Sequence, residues 1–243
     1  MNKIIKIENL TKKIGRKIIL HNFSFSIDKG KIIGIVGPNG AGKSTLIKTL
    51  LGLYHISKGN IYINNYSVKK DLEKALKDVG CIIENPDVYN NLSGRKNIEL
   101  YAGLNNMKDK AFINSLIKLV KLDNRIDDKV KTYSLGMKQR LGIACALVNK
   151  PKILILDEPT NGLDPFGIKE LRELLKLINR QTNMTIILCS HILEEMEKVC
   201  DEVIMIDNGN FIDKVNVNDL KKNNISLEDL FIEKLHGSKG QLR

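Results

Sequence analysis

Short alternating apolar patterns open the chain, with Ile5 and Ile7 in 3–8 and Phe23, Phe25 and Ile27 in 22–27. A third apolar segment, Ile18-Ile19-Leu20, lies between them. A period of two puts such side chains on one face, so these segments read as half-buried antiparallel strands. Asp28-Lys29-Gly30 turns the chain into an apolar strand at 31–36, and a helical pattern follows from Lys43 through Leu51, stopped near Gly52. A turn at Ser57-Lys58-Gly59 leads to a short strand at 60–63, then a polar helical segment over 69–77. Val79-Gly80-Cys81-Ile82-Ile83 is mostly apolar and reads as a buried strand that ends at Glu84-Asn85-Pro86.

Between Ser93 and about Asn149 the period changes to 3.6. Ile98, Leu100, Tyr101 and Leu104 mark one helix, and Phe112, Leu116, Ile117, Val120 and Leu122 a second. A third begins beyond Ser134 and carries Leu141, Ala144, Leu147 and Val148. Ile153-Leu154-Ile155-Leu156 then reads as a buried strand ending abruptly at Asp157-Glu158-Pro159. Helix 165–180, strand 184–189, helix 192–199 and strand 202–206 alternate in the manner of an α/β sheet. Asn208-Gly209 is a hairpin turn into 211–213, and Ser226 caps a short helix running to Leu235, with Glu228 in its first turn.

Composition narrows the classes. The 243 residues suit one sizeable domain, or one with a subdomain. With no Trp and only 5% aromatics the core must be mostly Ile and Leu. No apolar run approaches the roughly 18 residues that span a bilayer, and the N-terminus reads as the start of a strand without the apolar centre of a secretion signal. Any membrane role is therefore expected to come through a partner. The four cysteines, Cys81, Cys145, Cys189 and Cys200, lack metal-ligand spacing and are expected to be buried thiols. A formal charge of +11 favours anionic neighbours such as nucleotide, nucleic acid or an anionic membrane face, although the lysines are scattered.

The chemistry starts at Gly37-Pro38-Asn39-Gly40-Ala41-Gly42-Lys43-Ser44-Thr45. Strand, glycine-rich turn and helix form the arrangement in which backbone N–H groups and a helix N-terminus hold phosphate, and the spacing satisfies G-x-x-x-x-G-K-[ST] in full. Lys43 can reach the terminal phosphates of a nucleotide, while the Ser44 hydroxyl can sit on a magnesium ion. Asp157, closing a buried strand, can hold that metal through water, and Glu158 can act as general base on an attacking water. His191 follows Ser190 beyond another apolar strand, where its imidazole can donate to phosphate or to the attacking water. Asn161, Gly162 and Asp164 form a polar turn with Asp164 as N-cap and Pro165 in the first helical position. Ser134 is a good N-cap, and Gly136 lets a large anion approach the first turn of that helix, a candidate second anion site.

These pieces resemble the nucleotide-binding domain of the ABC transporter ATPases over nearly the whole chain. Gly37–Thr45 is similar to the Walker A loop, 153–158 to the Walker B strand with its catalytic glutamate, 161–164 to the D-loop and His191 to the switch histidine. The family signature, usually serine-glycine-glycine-glutamine, reads Ser134-Leu135-Gly136-Met137 here, so two positions depart. The resemblance implies an α/β fold: a P-loop NTPase core of ABC type with an N-terminal antiparallel β subdomain and a helical subdomain insertion. It divides the chain into an N-terminal β and phosphate-binding part (1–92), a helical signature subdomain (93–149), the remainder of the core (150–215) and a C-terminal tail helix (216–243). It implies ATP and magnesium as cofactors, and a head-to-tail pair with a second copy or close relative. In that pair Ser134 and Gly136 of one copy, with Asp164 of its D-loop, would face the nucleotide held by the other copy's phosphate loop.

Separate membrane-spanning permease subunits would dock at the helical insertion and the loop at Glu84, placing the chain peripherally on the cytoplasmic face of the membrane. Two further departures matter. Glu84 stands where the family presents a glutamine that touches magnesium and the attacking water; a carboxylate can still ligate the metal but loses the amide donor. Within Ile83-Glu84-Asn85-Pro86 this substitution resembles the lantibiotic-immunity and bacitracin-resistance branch, whose membrane subunits would bind and export a peptide. Ile14 stands about where an aromatic ring usually stacks on adenine, and it lacks the π-face of a ring. A switch protein on ribosomes or nucleic acid is the alternative, but such proteins usually carry two ATP domains where this chain has one. A P-loop kinase would leave 134–137 and 161–164 unexplained.

Overall fold

The computed structural model describes residues 3–240. Two strands, β1 (Lys3–Ile14) and β2 (Lys17–Asp28), pair antiparallel through a tight hairpin in which Ile14 faces Lys17. The apolar segment at 18–20 is thus the first part of one long β2, which continues through 22–27. β3 (Ile32–Val36) is buried at every position and feeds α1 (Lys43–Leu50). β4 (Lys58–Ile63) pairs with β1, and a two-residue β5 (Tyr66–Ser67), too short to leave a periodic signal, extends that antiparallel sheet before α2 (Leu72–Leu76).

Next come β6 (Val79–Ile82), α3 (Gly94–Leu104), α4 (Lys110–Leu119), α5 (Leu135–Leu147), β7 (Ile153–Asp157) and α6 (Pro165–Thr182). The chain closes with β8 (Thr185–Ser190), α7 (Leu193–Val199), β9 (Glu202–Asp207), β10 (Asn210–Asn216), α8 (Val217–Lys222) and α9 (Leu227–Gly240). Where a single tail helix is expected there are two. Asn216 caps α8 through the Asn218 N–H, and Asn223 with left-handed Asn224 ends it before Ser226 receives the Asp229 N–H at 3.0 Å. No helix among the described residues is long and apolar enough to cross a membrane.

The chain forms two compact units, one of the described residues up to Lys77 together with those from Thr185 onward, the other Asp78–Met184. In the first unit β3 pairs in parallel with β8 on one side and β9 on the other, and β10 adds antiparallel to β9. Apolar side chains on both faces of β3 explain why it reads as a continuous run and not an alternation. Phe211 of β10 stacks on Phe25 of β2, with ring centroids 5.6 Å apart, and Phe23 meets both rings edge-on. In the second unit β6 and β7 pair in parallel, and α3, α4 and α5 pack on one another with α5 also against β6. Cys145, Cys189 and Cys200 are buried as expected, and burial pushes the Cys145 thiol up to about 12. Cys81 is exposed: β6 alternates, and Gly80 and Ile82 take the inward positions.

One ionic cluster ties the strand starts of the first unit together. The buried Glu202 at the head of β9 takes Lys31 Nζ at 2.5 Å and Lys214 Nζ at 2.6 Å, while Asp28 takes Lys3 at 2.9 Å. Burial works to raise the Glu202 carboxyl, but the hydrogen bonds from Lys214 and Lys31 outweigh it and hold the group below its ordinary value. A depressed native pKa adds stability above the unfolded-state value, about 4.3, which is lost as pH falls through the native value. Glu202→Gln should therefore cost about 2 kcal/mol at pH 7 and flatten the loss of stability below about pH 4.3. Urea unfolding across pH 3–7 checks both, and an unchanged acid slope would remove Glu202 as a contributor.

Candidate functional site

Strand register brings the glycine loop and His191 to one end of the sheet in the first unit. Val36, the last residue of β3, lies level with Ser190 of β8 and Met205 of β9. Gly37 and His191 each follow directly, so the glycine loop and the histidine leave the same end of adjacent parallel strands, where open α/β sheets bind ligands. A Cβ at Gly37 would lie 2.1 Å from the Ile206 carbonyl oxygen, so only glycine lets the loop start this close to β9. Pro38, Asn39 and Gly40 form an exposed crown, and the Ala41 N–H closes the turn on the Pro38 C=O at 3.1 Å. Gly42 caps α1 at φ 106° and contributes no side chain to its first amides. Ser44 and Thr45 stand half-buried in that first turn. The Lys43 ammonium, on a residue 6% exposed, donates to the Gly37 C=O at 2.8 Å and to the Pro38 C=O at 3.2 Å, which fixes its charge along the loop. His191 is exposed, and the Ser190 hydroxyl accepts the Ile192 N–H at 3.1 Å and turns the chain there. Ile14 is 47% exposed at the tip of the first hairpin.

The second unit repeats the arrangement with carboxylates. Ile82 lies level with Leu156, so Glu84 and Glu158 each stand two residues beyond paired strand positions. Asp157 closes β7 at 2% exposure. Glu84 and Glu158 both adopt left-handed backbone, at φ 62° and 48°. For residues other than glycine this conformation costs on the order of 1–3 kcal/mol, and such strain concentrates at functional sites. The turn beyond Glu158 is held by the Asn161 N–H on the Glu158 C=O at 3.1 Å and the Leu163 N–H on the Thr160 C=O at 3.1 Å. Asp164 caps α6 through the Gly167 N–H at 2.7 Å. Ser134 caps α5 through the Met137 N–H at 3.3 Å. A Cβ at Gly136 would meet nothing closer than Leu163 at 3.9 Å, so this glycine answers no crowding within its own unit and leaves the helix start open to a large anion. Leu135, one of the two departures from the family signature, rests its Cδ2 2.9 Å from where a Gly162 side chain would begin.

Two residues that the sequence left unremarked hold the segment after Glu84. Asn97 is fully buried on α3; its amide nitrogen donates to the Tyr89 C=O at 3.2 Å and the Ser93 C=O at 2.9 Å, and its oxygen accepts the Tyr89 N–H at 2.7 Å. Gly142 on α5 sits 2.6 Å, measured from a built Cβ, beneath Pro86. One turn after Asn97, Tyr101 donates its hydroxyl to the Asp87 C=O at 2.6 Å. A polar residue on an apolar helical stripe was the available signal for Asn97.

Ser44, Asp157 and Glu84 are the hard oxygen donors that magnesium prefers. Among the described residues no cluster of three or more His, Cys, Asp or Glu could hold a metal alone.

The ABC transporter family profile matches residues 20–161. An uncharacterised ABC transporter ATP-binding protein of Bacillus subtilis, YhcH, is 47% identical over 219 residues, 90% of this chain and 72% of that protein. The lantibiotic transport ATP-binding protein SrtF of Streptococcus pyogenes is 44% identical over 86% of this chain and 89% of its own. The bacitracin transport ATP-binding protein BcrA of Bacillus licheniformis is 41% identical over 92% of this chain and 73% of its own. Among solved structures, cbiO1 of Clostridium perfringens, part of the ABC transporter complex cbiONQ, superposes with a TM-score of 0.83 at 28% identity over 92% of each chain. An ATP-binding cassette in a dimeric, post-hydrolysis state with ADP and Pi superposes with a TM-score of 0.75 at 26% identity, over 88% of this chain and 98% of that one. Likeness at this level along nine-tenths of its length makes the chain a member of the ABC transporter family, an ATP-binding and ATP-hydrolysing domain with a P-loop core, an N-terminal β subdomain and a helical subdomain.

Proposed function

We propose that this ATPase powers a peptide exporter of the lantibiotic and bacitracin type, coupling nucleotide-driven pairing of two ATPase copies to transport by separate membrane subunits. The observation that carries the coupling is that Ser134, Gly136, Glu84, Asp157 and Glu158 all ride on one compact unit. Whatever seats the open start of α5 on a partner's ATP therefore also carries the strained carboxylates. Support for the cargo comes from the relatives named for lantibiotic and bacitracin transport and from the glutamate at position 84. The dimeric relative and the relative from a transporter complex support the pairing and the membrane partner. Tyr89, Leu100 and Leu104 are exposed apolar side chains on or beside the tethered loop and α3, suited to receive a membrane subunit at the cytoplasmic face.

In this reading the amides of 37–45 cradle the phosphates, and Lys43 lends its charge to the terminal ones. His191 donates toward phosphate, and Glu158 takes the proton of the attacking water. Ser44, Asp157 and Glu84 would offer oxygen ligands to magnesium, which when bound would supply positive charge against that of the phosphates. Asp164 positions the loop at 161–164 beside the partner's nucleotide, and Ile14 packs against the base.

Glu158→Gln should leave the affinity for MgATP within about twofold and lower kcat by about 10²–10⁴-fold. It should also produce a MgATP-dependent dimer in size-exclusion chromatography. Near-normal turnover would refute the assigned base. Lys43→Ala should weaken MgATP binding about tenfold or more in a calorimetric titration, since it removes the charge facing the phosphates; an unchanged affinity would count against that role. With Ile14 in place of a stacking ring, ATP and GTP should differ by less than about tenfold in affinity, and Ile14→Tyr should widen the gap by roughly 1 kcal/mol. A strong adenine preference in the unmodified protein would contradict the isoleucine contact.

A further inference from the structure

By sequence alone Asn208-Gly209 is an ordinary hairpin turn between β9 and β10. In the structure it touches two other elements. The Gly209 N–H donates to the Ala41 C=O at 3.0 Å, inside the phosphate loop, and the Gly209 C=O accepts the His21 N–H of β2 at 2.7 Å. Gly209 lies at φ 72°, and a Cβ there would stand 2.1 Å from the Ile19 carbonyl oxygen and 3.0 Å from His21 Cδ2. Positive φ and the approach of another backbone each require glycine independently. β9 also meets the other end of the loop, where the Ile206 carbonyl oxygen lies 2.1 Å from a Cβ built on Gly37.

We infer that Gly209 is a positioning residue for nucleotide binding: it sets the orientation of the peptide joining Ala41 to Gly42. A trans peptide is planar, and its C=O and N–H point in opposite directions. Fixing the Ala41 carbonyl onto the hairpin therefore aims the Gly42 N–H away from the hairpin. Released from Gly209, that peptide could turn over and present an oxygen where an anion needs a donor. Because the same glycine also holds His21, the orientation is referenced to β2, which is antiparallel to the strand that carries Ile14. The inference rests on the reading that 37–45 binds phosphate.

The test compares Gly209→Ala with Gly59→Ala in the full chain. Gly59 is a matched control: it has φ 81° and a backbone clash of 2.3 Å with the Asn9 carbonyl oxygen, but it lies on β4 away from the loop. Both variants should unfold at lower temperature. Only Gly209→Ala should raise the MgATP Kd and the hydrolytic KM by about tenfold or more, with kcat at saturating ATP within about threefold. Equal effects on Kd in the two variants, or a Kd within twofold of the unmodified protein for Gly209→Ala, would overturn the inference. If Lys43→Ala also leaves binding intact, the phosphate-loop reading itself has failed; if Lys43→Ala abolishes binding while Gly209→Ala does not, only the positioning role has. Should Gly209→Ala not fold, amide hydrogen exchange on the unmodified protein decides. By reciprocity of coupling, MgATP must strengthen the bond that strengthens its binding, so the Gly209 amide should exchange more slowly with MgATP present. Unchanged exchange there would overturn the assignment.

Discussion

Parallel pairing of β3 with the strands on either side is the constraint on which the placement of the glycine loop depends. Val36 stands level with Ser190 and Met205, so three chain segments emerge together from one edge of buried apolar structure. A slip of one residue would move Gly37 by about 3.3 Å and exchange the inward and outward faces of β3. It would also separate Gly37 from the Ile206 carbonyl that the missing side chain allows it to approach. The apolar residues of β3 thus do more than fill a core: burial on both faces fixes the register, and register fixes where the glycines begin.

The unit spanning Asp78–Met184 solves a related problem with side chains in place of backbone amides. Its two glutamates extend from paired strands, and both sit in backbone conformations that isolated residues avoid. Their surroundings over-determine that conformation. Behind Glu84 the chain is pinned by Pro86 on Gly142 and by the Asn97 amide; behind Glu158 it is pinned by turn hydrogen bonds and the Asp164 cap. Strain of a few kcal/mol is tolerable where so many contacts agree on one geometry.

Much of this was legible in the sequence because the signals were local. The glycine spacing, the apolar runs ending in Asp157 and Ser190, and the caps Ser134 and Asp164 each declare themselves within a few residues. What escaped was non-local. Ile18-Ile19-Leu20 joined a single twelve-residue strand because its partner, β1, runs on to Ile14 with several register shifts. Cys81 faces outward because tertiary packing put Gly80 and Ile82 inward. Asn97 looked like an unremarkable helical position, since two of its three hydrogen bonds go to Tyr89, in a loop that periodicity does not describe. Gly209 carried a correct turn signal whose second meaning, the contact with Ala41, spans well over a hundred residues. Of the residues proposed for the site, the structure gives the backbone setting, while their chemical roles are proposals supported by family likeness and donor chemistry.

The buried Asn97 amide has a mechanical corollary. Two hydrogen bonds between the Asn97 amide and Tyr89, with the Tyr101 hydroxyl on Asp87 a turn away, make the segment between Glu84 and Ser93 stiff relative to α3. A load applied at the exposed Tyr89 ring is then borne by the helix as a whole and not absorbed by bending of the loop. Stiffness of that kind turns a loop into a lever, with Glu84 near one end and the outer surface at the other.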